Sequence, residues 1–177
     1  GNHEFYKITN VTDARRKMRD YGMVFYDEKL REAERELPRY IGGLYTGDIP
    51  RPIDFFKGLD IVRPELIRKA NAISARGGRQ LVVFTGIAYV GKTCAATRLG
   101  VDLMSCGYQF CTFPFSYYEN ASTYQRLILE YLGSLPEGSK VAILSENMAY
   151  YYSYVKRILE QCPDKINSLI LICTAST

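Results

Sequence analysis

The chain of 177 residues is 47% hydrophobic and 24% charged, which suits one packed core and excludes a disordered composition. Its net charge of +4 is too mild to argue for a nucleic-acid partner, and no run of about 18 apolar residues offers a membrane span. His3 is the single histidine, so a zinc centre, a Ser-His-Asp triad and a Cys-His pair are all poorly supplied.

The opening "GNHEFYKITN" has no apolar signal region and begins at Gly1 rather than methionine, so an excised piece of a cytoplasmic protein is expected. "TDARRKMRDYG" reads as a helix capped by Thr12 and ending near Gly22. "YDEKLREAERELPRYIGG" reads as a second, with Glu and Lys/Arg at i,i+4 spacing and Pro38 near its end. "GDIPRPIDFFKGLD" is a connector broken by Pro and Gly. "RPELIRKANAISARGG" is a third helix with Pro64 in its first turn, Gly77 and Gly78 past its end, and Leu66, Ile67, Ala70 and Ile73 on one face. Residues 1–60 are expected to form a helical linker or N-terminal extension.

Beyond residue 79 strands and helices alternate. Strand 81–85 leads to helix 91–105, strand 108–115 to helix 121–135, and strand 140–147 to helix 149–162; strand 168–174 follows. Short links between alternating elements predict an α/β fold with a parallel sheet covered on both faces, whose ligands bind beyond the carboxyl ends of the strands. Leu81 to Phe84 read as a fully buried strand. Cys94, Cys106, Cys111, Cys162 and Cys173 are odd in number, include no C-x-x-C, and read as reduced core residues.

The chemistry concentrates in "LVVFTGIAYVGKTCAATRLG". Gly86 and Gly91 frame a tight loop between a strand and a helix, and Gly86-x-x-x-x-Gly91-Lys92-Thr93 matches the phosphate-binding loop pattern. The first amides of the helix, its positive dipole end and Lys92 would together cradle an anion. Lys92 would reach the β- and γ-phosphates, and the Thr93 hydroxyl would bind Mg²⁺. A random chain of this length would match the pattern about once in a hundred. Such a loop needs an acid at a neighbouring strand end, and in "VAILSEN" that acid is Glu146. It would hold Mg²⁺ through water or orient the nucleophile; a carboxylate that merely caps the next helix or meets solvent is the alternative. Asn147 is a candidate cap for that helix. Thr174 is either a γ-phosphate sensor or an ordinary β-branched strand residue. The tyrosines at 150–154 read as a packing face with wet edges, and "PFSYYENASTY" (114–124) as a loop over the site or a contact surface.

With these motifs placed, residues from about 60 to 177 resemble the core of P-loop NTPases of the AAA+/STAND type. "GIAYVGKT" looks like the Walker A motif, so that Gly86, Ile87, Ala88, Tyr89, Val90, Gly91, Lys92, Thr93 and Cys94 would embrace the phosphates. "VAILSEN" looks like the Walker B strand, and "SLILICTAST" like the sensor-1 strand with Thr174 at its sensor position. "LDIVRPELIRKANAI" resembles the segment these proteins place beside the adenine, with Arg63 at the arginine position and Ile61 and Val62 lining the base. The resemblance implies a three-layer P-loop NTPase sandwich over 61–177, truncated after the sensor strand. It implies ATP/ADP and Mg²⁺ as ligands and Lys92, Glu146 and Thr174 as catalytic residues. It also implies self-association through this domain and attached effector or sensor domains, as in signalling ATPases of immunity, cell death or phage defence. The usual acidic pair appears here as Ser145-Glu146 or, in another register, Glu146-Asn147, which argues for binding with slow hydrolysis. No guanine-specifying Asn-Lys-x-Asp occurs, which favours ATP. A P-loop kinase or phosphotransferase and a non-hydrolysing, nucleotide-stabilised scaffold are the alternative functions.

Overall fold

The computed structural model describes residues 10–36, 52–56, 64–86, 91–113, 121–146 and 152–176. Helix α1 (Val11–Asp20) is followed by strand β1 (Val24–Phe25), helix α2 (Tyr26–Glu36), the short α3 (Pro52–Phe56) and α4 (Pro64–Arg76). Then come β2 (Gly78–Gly86), α5 (Lys92–Met104), β3 (Gln109–Thr112), α6 (Ala121–Ser134), β4 (Lys140–Glu146), α7 (Tyr152–Gln161) and β5 (Ser168–Ser176). The fold is α/β, with a five-stranded sheet in the order β1-β3-β4-β5-β2.

The pairs β3–β4, β4–β5 and β5–β2 are parallel, but β1 runs antiparallel to β3. The four strands beyond residue 77 thus form the expected parallel sheet, and the correction falls on residues 1–60, expected to be helical, which add an antiparallel edge strand. Two residues are too short for a periodic signal, and only the partner strand makes Val24–Phe25 a strand.

The sheet buries both faces, and residue parity along the strands assigns each side chain to one of them. On one face Val141, Ile143, Leu169 and Leu171 meet α1, α6 and α7 through Met18, Ile128, Leu132, Val155 and Ile158. On the other, Ala142, Leu144, Ile170 and Ile172 meet Leu99 and Leu103 of α5, and beyond them Ala70 and Ile73 of α4. Each fully buried side chain of this size contributes about 1.5–3 kcal/mol relative to exposure. Helix α5 thus crosses one face on its way from β2 to β3, while α6 and α7 cross the other as the chain returns to β5. Connections that leave β2 and β4 toward opposite faces open a crevice above the carboxyl end of β5, the strand between them.

Several boundaries move. The cap of α1 is Asn10 rather than Thr12, because the helix begins two residues earlier and the Asn10 amide oxygen accepts from the Asp13 N–H at 2.8 Å. Val83 is 39% exposed and Leu81, Val82 and Phe84 only half-buried, so the fully buried reading of this strand is corrected: β2 pairs with β5 alone among the described residues. Ile67 is exposed at 43%, since a step of 100° carries it off the Leu66–Ala70–Ile73 stripe. The connector contains α3, in which Asp54 and Phe55 are almost fully buried. Tyr108 and Phe113 fall outside β3, and strand 168–174 lengthens to β5. Tyr152 is 60% exposed, so it does not pack; Tyr150 and Tyr151 lie outside the described residues, as do 114–120 and Pro38. All five cysteines are free; Cys111, Cys162 and Cys173 are buried, and Cys94 and Cys106 half-buried.

Candidate functional site

The site grows from the meeting of three strand ends with one helix start. In the parallel register Thr174 of β5 lies between Phe84 of β2 and Glu146 of β4, and Gly86 sits two residues beyond Phe84. Gly91 supplies the turn into α5 with φ of 78°, a left-handed conformation that side-chain-bearing residues rarely adopt. Gly91 has no side chain with which to cap the first amides of α5, which therefore face the loop.

Two contacts tie the loop together. The Lys92 ammonium donates to the Gly86 carbonyl at 2.9 Å, across the base of the loop. The Thr93 hydroxyl donates to the Glu146 carboxylate, joining residues 53 apart in the chain. Thr97, one turn later, donates its hydroxyl to the Thr93 carbonyl at 2.8 Å and holds the first turn of α5 in register. Lys92, Thr93, Glu146, Gly86 and Gly91 are thus brought together, with Cys94 half-buried beside them. Thr174 is buried to 4% exposure at the crevice floor.

Strand parity sends neighbouring residues at the ends of β4 and β5 to opposite faces of the sheet. Ser145 and Cys173 point to the α6–α7 side, where they line a small apolar cavity with Phe113, Ile128 and Val155. Glu146 and Thr174, one residue on, point to the α5 side. Burial in that opposite, apolar layer pushes the Cys173 thiol up to about 12, far from any role in the crevice.

Ile87, Ala88, Tyr89 and Val90 of the loop, and Ile61, Val62 and Arg63 of the adenine-flanking segment, lie outside the described residues, as does Asn147. Among the described residues no group of three or more His, Cys, Asp or Glu side chains forms an all-protein metal cage. The Thr93 and Glu146 oxygens are nonetheless hard donors of the type that binds Mg²⁺ beside phosphate oxygens and water. No helix among the described residues is long and apolar enough to cross a membrane.

Residues outside the loop pattern also surround α5. Arg98, 8% exposed, donates to the Phe55 carbonyl at 2.7 Å and to Asp102 at 3.3 Å, and its guanidinium lies 5.7 Å from the Phe55 ring. Tyr26 is buried within electrostatic reach of Cys94, and burial drives its phenol pKa above the usual range. A lone arginine in an alanine-rich helix carries no periodic signal, so these contacts have no legible trace in sequence.

Comparison with family models finds no match for this chain, and comparison with curated proteins finds no similar sequence.

Proposed function

We propose that this chain is the ATP-binding module of a nucleotide-switch ATPase of the STAND/AAA+ type, with slow or conditional hydrolysis. The observation that carries the reading is the Thr93–Glu146 hydrogen bond at the uncapped start of α5, with Lys92 in the same turn. A hydroxyl that gives its proton to a carboxylate turns its lone pairs outward, which is the orientation a cation ligand needs. Bound there, Mg²⁺ would neutralise phosphate charge.

The chain's own groups then divide the work. The backbone from Gly86 to Thr93 cradles the phosphates, and Lys92 exchanges the Gly86 carbonyl for β- and γ-phosphate oxygens. Thr93 and, through water, Glu146 hold the cation. Thr174, paired in register with Glu146, would sense the γ-phosphate and report it to the next element. Immunity or phage defence is the setting in which a slowly hydrolysing switch of this kind, self-associating and joined to an effector, would act.

The test is calorimetry of ATP·Mg²⁺ binding to the wild type and Lys92→Ala, with phosphate release followed in the same samples. Charge-assisted contacts of about 1.5–3 kcal/mol predict a loss of roughly ten- to a hundredfold in affinity for the variant. Equal binding by both proteins would overturn the site, and no binding by the wild type would overturn the function.

A further inference from the structure

Helices α2 and α3 do not stand apart from α5. Phe55 and Asp54 of α3 are 3% and 1% exposed. The Phe56 ring meets Tyr26 edge-on at 6.0 Å, and Tyr26 packs at a tilt against Phe110 of β3 at 4.6 Å. Tyr26 shares a buried apolar cluster with Ala96 and Leu99 of α5. Arg98 reaches out of α5 to the Phe55 carbonyl. Both helices therefore meet α5: Tyr26 in the apolar cluster that holds Ala96 and Leu99, and Phe55 through its carbonyl on Arg98.

A guanidinium this deeply buried requires its acceptors, because an unpartnered buried donor retains its full desolvation cost. Undocking α3 would remove the Phe55 carbonyl from Arg98 and open the apolar seam between Tyr26, Phe56 and α5. Any ligand that favours an ordered first turn of α5 must then favour the docked α3, and the reverse holds by linkage.

We infer that α2 and α3 form a clamp on the phosphate-loop helix, with Arg98 as its latch, so that occupancy of the loop and docking of the N-terminal segment strengthen each other. This rests on the nucleotide reading for the identity of the ligand, while the clamp itself is a property of the fold. It gives the proposed switch an output: nucleotide tightens α2 and α3 on α5, and a partner that pulls on these helices weakens nucleotide binding.

Hydrogen exchange on the full chain tests it, with peptides covering 52–56 and 92–99 read with and without ATP·Mg²⁺. Wild type, Arg98→Lys and Phe56→Ala are compared; the last two loosen the clamp while leaving the strands intact, and circular dichroism checks that both are folded. The clamp predicts faster exchange at both peptides in each variant without nucleotide. It also predicts that ATP slows exchange at 52–56 in the wild type, and that each variant binds ATP about fivefold or more weakly. Variants that loosen 52–56 but leave 92–99 at wild-type rates overturn the clamp. ATP protection at 92–99 that never reaches 52–56 overturns the coupling. If ATP protects neither peptide while the variants still loosen both, the nucleotide reading fails and the clamp stands.

Discussion

Gly100 lies in the middle of α5, where an alanine would ordinarily stabilise the helix by about 1 kcal/mol. Here the neighbouring strand decides the sign. A Cβ at Gly100 would lie 2.1, 2.3 and 2.5 Å from three ring carbons of Phe110, against an ordinary contact of about 3.5–4.0 Å. The ring has little room to retreat, because Phe110 is 1% exposed and packed against Tyr26. Relief requires α5 to lift off β3 by more than an ångström. Overpacking of this kind costs about 1–3 kcal/mol, and a boxed ring puts this site at the upper end. Gly100→Ala is therefore expected to be net destabilising by about 2 kcal/mol, a fall of roughly 4–8 °C in melting temperature. Urea denaturation followed by circular dichroism measures it. In a double-mutant cycle with Phe110→Leu, the two changes should couple by about 1 kcal/mol or more, since the smaller side chain vacates the space that the new methyl needs. A Gly100→Ala protein as stable as the wild type would refute the close approach of α5 to the sheet, on which the position of Thr93 opposite Glu146 depends.

Thr93→Val keeps the side-chain shape and removes the hydroxyl; it should cost about 1 kcal/mol of stability and abolish the Mg²⁺-dependent part of ATP affinity, whereas Thr93→Ser should retain both, as melts and calorimetry with and without Mg²⁺ will show. Iodoacetamide at pH 8 should modify Cys94 and Cys106 before Cys111, Cys162 and Cys173, read by mass spectrometry, with Mg²⁺·ATP slowing Cys94 alone. Burial raises the Cys111 and Cys173 thiols from 9.0 to about 12, so the folded state keeps protons that the unfolded chain releases. The stability they contribute is whole below pH 9 and is lost as the pH rises toward 12, which urea midpoints across that range will report.

The central part of the architecture was legible because parallel strands and crossover helices leave long, separable patterns. Leu99 and Leu103 on α5, or Val141–Leu144 in β4, announce their burial by type and spacing alone. The loop pattern also placed Lys92, Thr93 and Gly86 together before any geometry was known. What escaped depends on partners far away in sequence. Val24–Phe25 is a strand only because Cys111 and Thr112 present an edge to it, and Val83 is exposed because no described strand lies on its outer side. Arg15 stands in the charge-rich stretch "TDARRKMRDYG", where nothing in its spacing marks it as a contact residue. It in fact donates to Asp27 at 2.9 Å and to Gln109 at 3.1 Å, and lies 4.4 Å from the Phe25 ring. Local charge spacing cannot distinguish a helix face turned to solvent from one anchored on a strand 94 residues away.

The contact between Thr93 and Glu146 also constrains how turnover is divided among the residues. In phosphoryl transfer the attacking water approaches in line, on the side of the γ-phosphate opposite the leaving oxygen, whereas the cation bridges the β- and γ-oxygens. A carboxylate that touches the hydroxyl proposed to hold the cation would stand on the bridging side, badly placed to activate that water. Glu146 is the one carboxylate among the final residues of the described strands, so a water-activating group would have to come from another part of the protein or from a partner. Glu146→Gln separates the two roles. The amide oxygen still accepts the Thr93 proton, so the loop keeps its shape, but the charge facing the cation is lost. The expected result is a fall of roughly tenfold in the Mg²⁺-dependent increment of ATP affinity, with affinity in EDTA unchanged. Titrations with and without Mg²⁺ measure both quantities in one protein. Should Glu146→Gln bind ATP·Mg²⁺ like the wild type and lose only phosphate release, Glu146 acts on the water, and its contact with Thr93 does not describe the loaded site.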